Sequence, residues 1–398
     1  MYNNIYINIV FNWKGLLMVI KEGKNNKRED DKDYIDRENQ VYTQQMRLQD
    51  AKKNKRDEFY TGLDDINREL NYYVDKLKNK IIFCNCDDPD FSNFYKFFRL
   101  KFDTFKIKKL ITTHYSKKGK SYKLEIDKNN IKDEDGLYIP NKIKLKGNGD
   151  FRSEECIELL RESDIVITNP PFSLFREYVN QLIEYDKKFL IIGHQTHVGC
   201  KGIFPLIKKN KMWLGYGFKG DAGYFINKHY EDYAAASNHK EGMIRVSGVQ
   251  WFTNLENKIR NNDLKLSLSY KENKEKYSQY VNYDAINVDI TNHIPYDYEG
   301  VMGVPISFIK KFNPDQFEIV SLGIVGSCNF KNNYKSEIYR DGIATGKFTM
   351  NCKGCLYYKH DKEIHKKIPK YRNIENNDFY IAPYARILIK NKKVIKNE

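Results

Sequence analysis

From residue 61 onward the apolar positions alternate between two rhythms. Ile66, Leu70, Tyr73 and Leu77 recur at three- and four-residue steps, which predicts a helix with one buried face. After Lys80 the unbroken run Ile81-Ile82-Phe83-Cys84 predicts a strand covered on both sides. Ser92 is placed to cap a second helix carrying Phe94, Phe97 and Phe98, and Lys109-Leu110-Ile111-Thr112-Thr113 predicts the next strand. Residues 116–148 are rich in Lys and Asp and hold Gly119, Gly136 and Gly147, so a hairpin insertion built on Tyr122-Lys123-Leu124-Glu125-Ile126 is expected there. A helix from Glu154 to Leu160 then leads into the apolar run Asp164-Ile165-Val166-Ile167-Thr168. A further helix from Phe175 to Tyr185 precedes the buried strand Phe189-Leu190-Ile191-Ile192-Gly193. This alternation implies an α/β fold with a mostly parallel sheet, and Trp251 and Phe252 read as a late strand packing against it. Beyond about residue 256 the rhythm loosens into short strands such as Phe317-Glu318-Ile319-Val320 and Ala385-Arg386-Ile387-Leu388-Ile389, the pattern of an appended α+β region.

The N-terminus behaves differently. Residues 21–57 are dominated by charged and amide side chains, the composition of a solvated arm rather than a core element. Apolar patches within residues 1–20 are interrupted by Asn3, Asn4, Asn8, Asn12 and Lys14, so neither a membrane span nor a secretory signal is expected. Met18 stands just before Val19-Ile20 and the charged stretch, which makes residues 1–17 a candidate upstream extension of the reading frame. The expected organisation is a flexible arm over 1–50, a catalytic domain over 51–256 and a recognition region over 257–398.

Charge adds a partner class. The chain of 398 residues carries 68 Lys and Arg against 53 Asp and Glu, a net +15, the footprint of a polyanion binder. A Lys-rich compositional bias would produce the same excess, so charge supports a nucleic-acid reading without establishing it. Seven cysteines, an odd number with no secretory signal, predict reduced thiols and a cytoplasmic protein.

The chemistry enters at Asn169-Pro170-Pro171-Phe172, directly after the run ending at Thr168. An exocyclic amine such as adenine N6 is a poor nucleophile because its lone pair is delocalised into the ring. Hydrogen-bond acceptors that favour a tetrahedral nitrogen aim that lone pair at a methyl donor. The Asn169 side-chain oxygen and the Pro170 carbonyl are two such acceptors. Paired prolines stiffen the turn before substrate arrives, and Phe172 can stack on the base. The motif therefore implies methyl transfer to a planar amine, without a histidine base; His194 and His197, after the Phe189–Gly193 strand, read as polar cleft lining.

Such an enzyme needs a pocket for S-adenosylmethionine, and three stretches are suitably placed. Asp57-Glu58-Phe59-Tyr60-Thr61 offers an aromatic pair and a hydroxyl, although Thr61 could equally be a helix cap. Asn85-Cys86-Asp87-Asp88-Pro89 offers carboxylates at the end of the first strand, in a loop that lacks the glycines common at this position. Asp150-Phe151, after Gly147 and Gly149, offers a carboxylate for an adenine amino group and an aromatic face, with helix capping as the alternative for Asp150. A zinc site at Cys352-Lys353-Gly354-Cys355 with His360, His365 and Cys328 is conceivable, but no second Cys-x-x-Cys pair accompanies it, so no metal is assigned.

With these residues in view the chain resembles the EcoRI-type family of adenine-specific DNA methyltransferases. The resemblance is carried by Asp57-Glu58-Phe59-Tyr60-Thr61, Cys84-Asn85-Cys86-Asp87-Asp88-Pro89, Ser92-Asn93-Phe94, Lys108-Lys109-Leu110-Ile111, Gly149-Asp150-Phe151-Arg152-Ser153 and Asn169-Pro170-Pro171-Phe172. It continues through Gly248-Val249-Gln250-Trp251-Phe252-Thr253-Asn254 and Met302-Gly303-Val304-Pro305-Ile306-Ser307-Phe308. It implies a Rossmann-like methyltransferase sheet, S-adenosylmethionine as donor, N6 of an adenine flipped from double-stranded DNA as acceptor, and a role in a restriction-modification type of system. By the same resemblance Phe59, Tyr60, Thr61, Asp87, Asp88, Asp150 and Phe151 line the donor site, and Asn169, Pro170, Pro171 and Phe172 hold the base. Residues 335–385 are longer and more basic than the family leads one to expect. Methylation of RNA or of a protein glutamine, or a non-catalytic DNA-binding role, are the alternatives. The target sequence is not legible, and a monomer is the simplest oligomeric state.

Overall fold

A computed structural model describes residues 8–11, 17–20, 60–86, 88–116, 120–226, 243–331 and 333–395. The chain forms two compact units, Met1–Asp57 and Glu58–Glu398. In the first, Asn8–Phe11 pairs antiparallel with Leu17–Ile20, and the charged arm after it lies outside the described residues.

The second unit is a mixed α/β structure built on an eight-stranded sheet. Its strands are β1 (Ile81–Cys84), β2 (Lys109–His114), β3 (Tyr122–Asp127), β4 (Asn141–Lys144), β5 (Ile165–Thr168), β6 (Lys188–His194), β7 (Trp213–Leu214) and β8 (Val249–Thr253), in the order β7-β8-β6-β5-β1-β2-β3-β4. The centre, β6-β5-β1-β2, is parallel, and each edge is extended by antiparallel strands. Parallel strands need a crossover between them. Here α2 (Asn93–Lys101) joins β1 to β2, α3 (Glu154–Glu162) leads into β5 and α4 (Phe175–Glu184) joins β5 to β6. Ahead of β1, α1 (Leu63–Leu70) continues through a 3-10 turn into the short helix Val74–Leu77 and buries Ile66, Leu70, Tyr73 and Leu77, the four positions whose spacing predicts it.

The helices cover both faces of the sheet. On one, Phe83, Val166, Phe189, Ile191 and Phe252 share a core with Leu159 and Leu160 of α3 and Phe175, Tyr178, Val179 and Leu182 of α4. On the other, Trp251 meets Phe94 of α2 edge-on at 6.0 Å and stacks on Phe218 at 5.6 Å, with α1 packed beside α2. Two buried carboxylates on α1 meet polar partners rather than apolar packing. Asp65 pairs with Arg68 at 2.9 Å and accepts the Tyr224 N–H, while Glu69 accepts the N–H groups of Tyr216 and Gly217 at 2.8 and 2.9 Å. Tyr224 belongs to Ala222–Ile226, the centre of a small sheet with Tyr60–Thr61 and Ile244–Ser247 on either side.

The C-terminal portion shares the core of the α3/α4 face. A sheet of β9 (Ile286–Asn287), β10 (Met302–Pro305), β11 (Phe317–Leu322) and β12 (Arg386–Asn391), ordered β9-β10-β12-β11, places Met302, Val304, Phe317, Ile319, Ile387 and Ile389 in that cluster. A five-stranded antiparallel sheet follows, ordered Ile343–Met350, Lys335–Arg340, Tyr371–Asn373, Phe379–Ile381 and Tyr358–Lys359. Its outer hairpin turns at Asp341-Gly342, both at positive φ (50° and 81°), the backbone that a two-residue hairpin loop needs. No helix among the described residues is long and apolar enough to cross a membrane.

Candidate active site

β5 ends at Thr168 and the chain turns at once through Asn169-Pro170-Pro171 into the 3-10 turn Phe172–Leu174 and then α4. Asn169 and Pro170 are buried, Pro171 is extended (φ −53°, ψ 125°), and Phe172 is partly exposed. Next to it, β1 ends at Cys84 and the Cys86 N–H donates to Thr168 Oγ1 at 3.2 Å, tying the first loop to the foot of the Asn-Pro-Pro turn. The chain leaves β1 toward β2 on one side, whereas β5 lies on the other. Such a reversal opens a crevice at the carboxyl ends of the strands, where open α/β sheets take their ligands.

Three sequence-predicted stretches converge on the same end of the sheet. The Thr61 carbonyl accepts from Asn93 Nδ2 at 2.7 Å, and the Tyr60 ring lies 6.0 Å from Phe91, so this short strand is held against the start of α2. Gly62, not Thr61, occupies the N-cap position of α1. Asp88 organises its own loop. Its carbonyl accepts the N–H groups of Phe91 and Ser92, and its carboxylate takes the Asp90 N–H and lies 3.1 Å from His114 Nδ1 at the end of β2. Ser92 caps α2 by accepting from Phe94 and Tyr95, as its position predicts.

The third stretch approaches through Gly149, at φ +77°, where an added Cβ would sit 2.4 Å from the His114 carbonyl oxygen. Only a residue without a side chain fits so near that backbone. Asp150 does not cap the following helix; Ser153 does, accepting from Cys156 N. Arg152 instead grips the Asp150 carboxylate through Nε at 2.8 Å and a terminal nitrogen at 2.7 Å, which holds this carboxyl below the usual range. Phe151 is buried and meets Tyr178 of α4 edge-on at 5.1 Å. The Tyr178 hydroxyl donates to Asn85 Oδ1, and Gln181 Nε2 donates to the Phe151 carbonyl at 3.2 Å.

Tyr60, Thr61, Asp88, Asp150, Phe151 and the Asn169–Phe172 turn are thus brought to one end of the sheet, while Phe59 and Asp87 lie outside the described residues. Buried polar atoms are ordinarily satisfied, yet Thr61 Oγ1 and Asn85 Nδ2, on residues 1% and 3% exposed, have no hydrogen-bond partner among the described residues. A hydroxyl and an amide N–H left in this way fit a ligand bearing a carboxylate and ribose hydroxyls. Asn85 and Tyr178 do not stand out in the sequence. The first sits inside the Cys84–Pro89 run, and the second shares helical spacing with Phe175 and Leu182, which reads as core.

The remaining candidates separate cleanly. His197 stacks on Phe175 at 4.3 Å and meets Phe172 edge-on at 6.3 Å. His194 Nε2 lies 3.0 Å from the Ser247 carbonyl, and burial holds its pKa below the ordinary histidine value. Trp251 and Phe252 are core, as their late-strand position predicts. Around Cys352 and Cys355, as elsewhere among the described residues, no group of three or more His, Cys, Asp or Glu side chains converges. His365 already engages the Asp361 N–H and the Ser278 hydroxyl. Glu69, which no sequence pattern marks, is buried enough that its carboxyl is pushed up to about 7 despite its two backbone donors.

Comparison with known proteins adds a family. The profile described as "Adenine-specific methyltransferase EcoRI" matches residues 47–392. Type II methyltransferase M.EcoRI of Escherichia coli is 42% identical over 363 residues, covering 88% of this chain and 97% of its own. Type II methyltransferase M.MgeORF184P of Mycoplasma genitalium is 39% identical over 275 residues, covering 68% of this chain and 84% of its own. M.MpnI of Mycoplasma pneumoniae is 40% identical over the same length, with 68% and 83% covered. No solved structure matches.

Proposed function

The chain belongs to the EcoRI family of adenine-specific methyltransferases, and we propose that it works as a Type II DNA enzyme, taking a methyl group from S-adenosylmethionine to N6 of an adenine swung out of a duplex. The observation that carries the reading is the meeting of the Asn169–Phe172 turn with the loop after β1, joined by the Cys86–Thr168 hydrogen bond, at the point where strand order reverses. That arrangement supports a Rossmann-like methyltransferase sheet with donor and acceptor sites side by side.

The donor, when bound, supplies an electrophilic methyl on a sulfonium. Thr61 and Asn85 bring an unused hydroxyl and amide to its polar ends. Asp88 and Asp150 bring carboxylates, and Tyr60 and Phe151 bring aromatic faces, with Phe59 and Asp87 belonging to the same stretches. Asp150 stays ionised through the Arg152 grip and still has lone pairs to accept from an adenine amino group. On the acceptor side Asn169 Oδ1 and the Pro170 carbonyl accept from the target amine and steer its lone pair. Pro171 holds the turn, and Phe172 stacks on the extruded base, which must leave the helix because an enclosed methyl group is out of reach from within the stack. The +15 charge supports a duplex partner held through its phosphates, residues 257–398 are assigned to its recognition, and the free cysteines suit a reducing, cytoplasmic compartment.

The test is donor-dependent labelling of duplex DNA beside calorimetric donor binding. Asn169→Ala should reduce labelling by roughly a hundred- to a thousandfold with donor affinity retained. Near-normal labelling by this variant would remove the assigned role, and labelling of RNA or protein instead of duplex DNA would replace the substrate.

A further inference from the structure

The five-stranded sheet carries a feature that the fold does not use. Its outer strand, Ile343–Met350, is exposed on both faces along almost its whole length, and among the described residues no strand pairs with its outer edge. Antiparallel sheets commonly pack one face on the core. This one instead leaves Ile343 72% and Phe348 52% exposed, with Met350 beside them. Lys335, across the hairpin, holds its ammonium 5.1 Å over the Phe348 ring. Around Gly342 and Gly346, both at positive φ, an added Cβ would meet nothing within 4 Å, so the ribbon stays thin.

Charge identifies the occupant. Residues 335–372 carry ten Lys and Arg against four Asp and Glu, six of the chain's net +15. Within the hairpin itself Lys335, Arg340 and Lys347 stand against Glu337 and Asp341, and Glu337 is already paired with Arg372 at 2.8 Å, so a second copy pairing edge to edge would set like charges together. A duplex nucleic acid would be attracted by the same field, and its major groove admits a two-stranded β-ribbon while presenting thymine methyl groups to apolar side chains. We propose that the Lys335–Met350 hairpin is a duplex-DNA contact element that enters a groove as a ribbon, with Arg340 and Lys347 on phosphates and Phe348 on the groove floor. The proposal rests on the DNA-methyltransferase reading above.

Both cations are exposed, so their removal spares the core. The full chain is titrated against a pool of random-sequence 40-bp duplexes by fluorescence anisotropy across a salt series, with S-adenosylhomocysteine binding measured in parallel. In the double variant Arg340→Ala and Lys347→Ala the affinity should fall roughly thirtyfold at about 0.15 M salt. The slope of log affinity against log salt should become shallower by about 1.8, the value for two lost phosphate contacts. Phe348→Ser should weaken binding with the slope unchanged, and S-adenosylhomocysteine binding should be unaltered in both. Wild-type affinity and slope in the double variant would overturn the proposal. So would a wild-type dimer in sedimentation that the hairpin variants dissolve, since the edge would then pair a second copy. A wild-type protein that methylates duplex DNA while its hairpin variants bind normally refutes the hairpin alone. A wild-type protein that neither binds the pool nor labels duplex DNA refutes the function beneath it.

Discussion

Replacing Glu69 by Gln should change how stability responds to pH. Glu69 is 1% exposed, and burial lifts its carboxyl from 4.5 to about 7 in the folded chain. Between those values the folded protein holds a proton that the unfolded chain has released, so folding is favoured at low pH and loses that advantage as pH rises through 7. For a single group titrating at 4.5 unfolded and about 7 folded, the linkage relation gives a loss of about 2.5 kcal/mol between roughly pH 5 and pH 8. Gln cannot titrate, and it offers one acceptor oxygen where the carboxylate offers two. One of the Tyr216 and Gly217 N–H groups then loses its partner at every pH, a constant cost of about 1–3 kcal/mol. The difference in unfolding free energy between the wild type and Glu69→Gln, from urea titrations followed by tryptophan fluorescence, should therefore favour the wild type near pH 5 and shrink by about 2.5 kcal/mol by pH 8. All other titrating groups are common to both proteins and drop out of the difference. A difference that stays flat across this range, or grows with pH, would refute a proton-bearing Glu69.

Tyr178→Phe removes the hydroxyl that donates to Asn85 Oδ1. It should cost about 1 kcal/mol of stability and raise KM for the donor several-fold with kcat little changed; a drop in kcat alone in steady-state assays would count against a donor-side role. Gly149→Ala would drive a Cβ to within 2.4 Å of the His114 carbonyl oxygen at φ +77°, and thermal unfolding should register a loss of about 2 kcal/mol or more. Ser92→Ala deletes the side-chain acceptor for Phe94 and Tyr95 at the start of α2 and should cost about 1 kcal/mol in chemical denaturation.

The parts of the fold legible in the sequence are those governed by local spacing. Ile66, Leu70, Tyr73 and Leu77 announce α1, and the runs at Ile81, Lys109, Ile165 and Phe189 announce the four parallel strands, because a strand buried on both faces has almost no polar positions. The position of Asn169–Phe172 directly after Thr168 follows from the same rule. What escapes the sequence depends on partners distant along the chain. Nothing local to Tyr60-Thr61 reveals that it pairs with Phe225-Ile226, and nothing local to Glu69 reveals that Tyr216 and Gly217 satisfy it. Asp150 illustrates a different difficulty. Its neighbour Arg152 is visible in the sequence, but whether that guanidinium turns back on it or outward is decided by the loop's approach to His114.

The excursion of the chain between β1 and β5 has a consequence for how the protein is made. The crevice cannot exist until Ile165–Thr168 is inserted beside Ile81–Cys84, and its Tyr60–Thr61 flank has no strand partner until Ala222–Ile226 arrives. Contacts between segments so far apart form late and slowly, since the intervening loop must close before any pairing repays it. A nascent chain emerging from the ribosome therefore passes about a fifth of its synthesis, from residue 84 to residue 168 of 398, with the apolar strand β1 lacking its neighbour β5. Chaperone occupancy should be greatest over that interval, and it should fall once residues past Thr253 complete the sheet at β8.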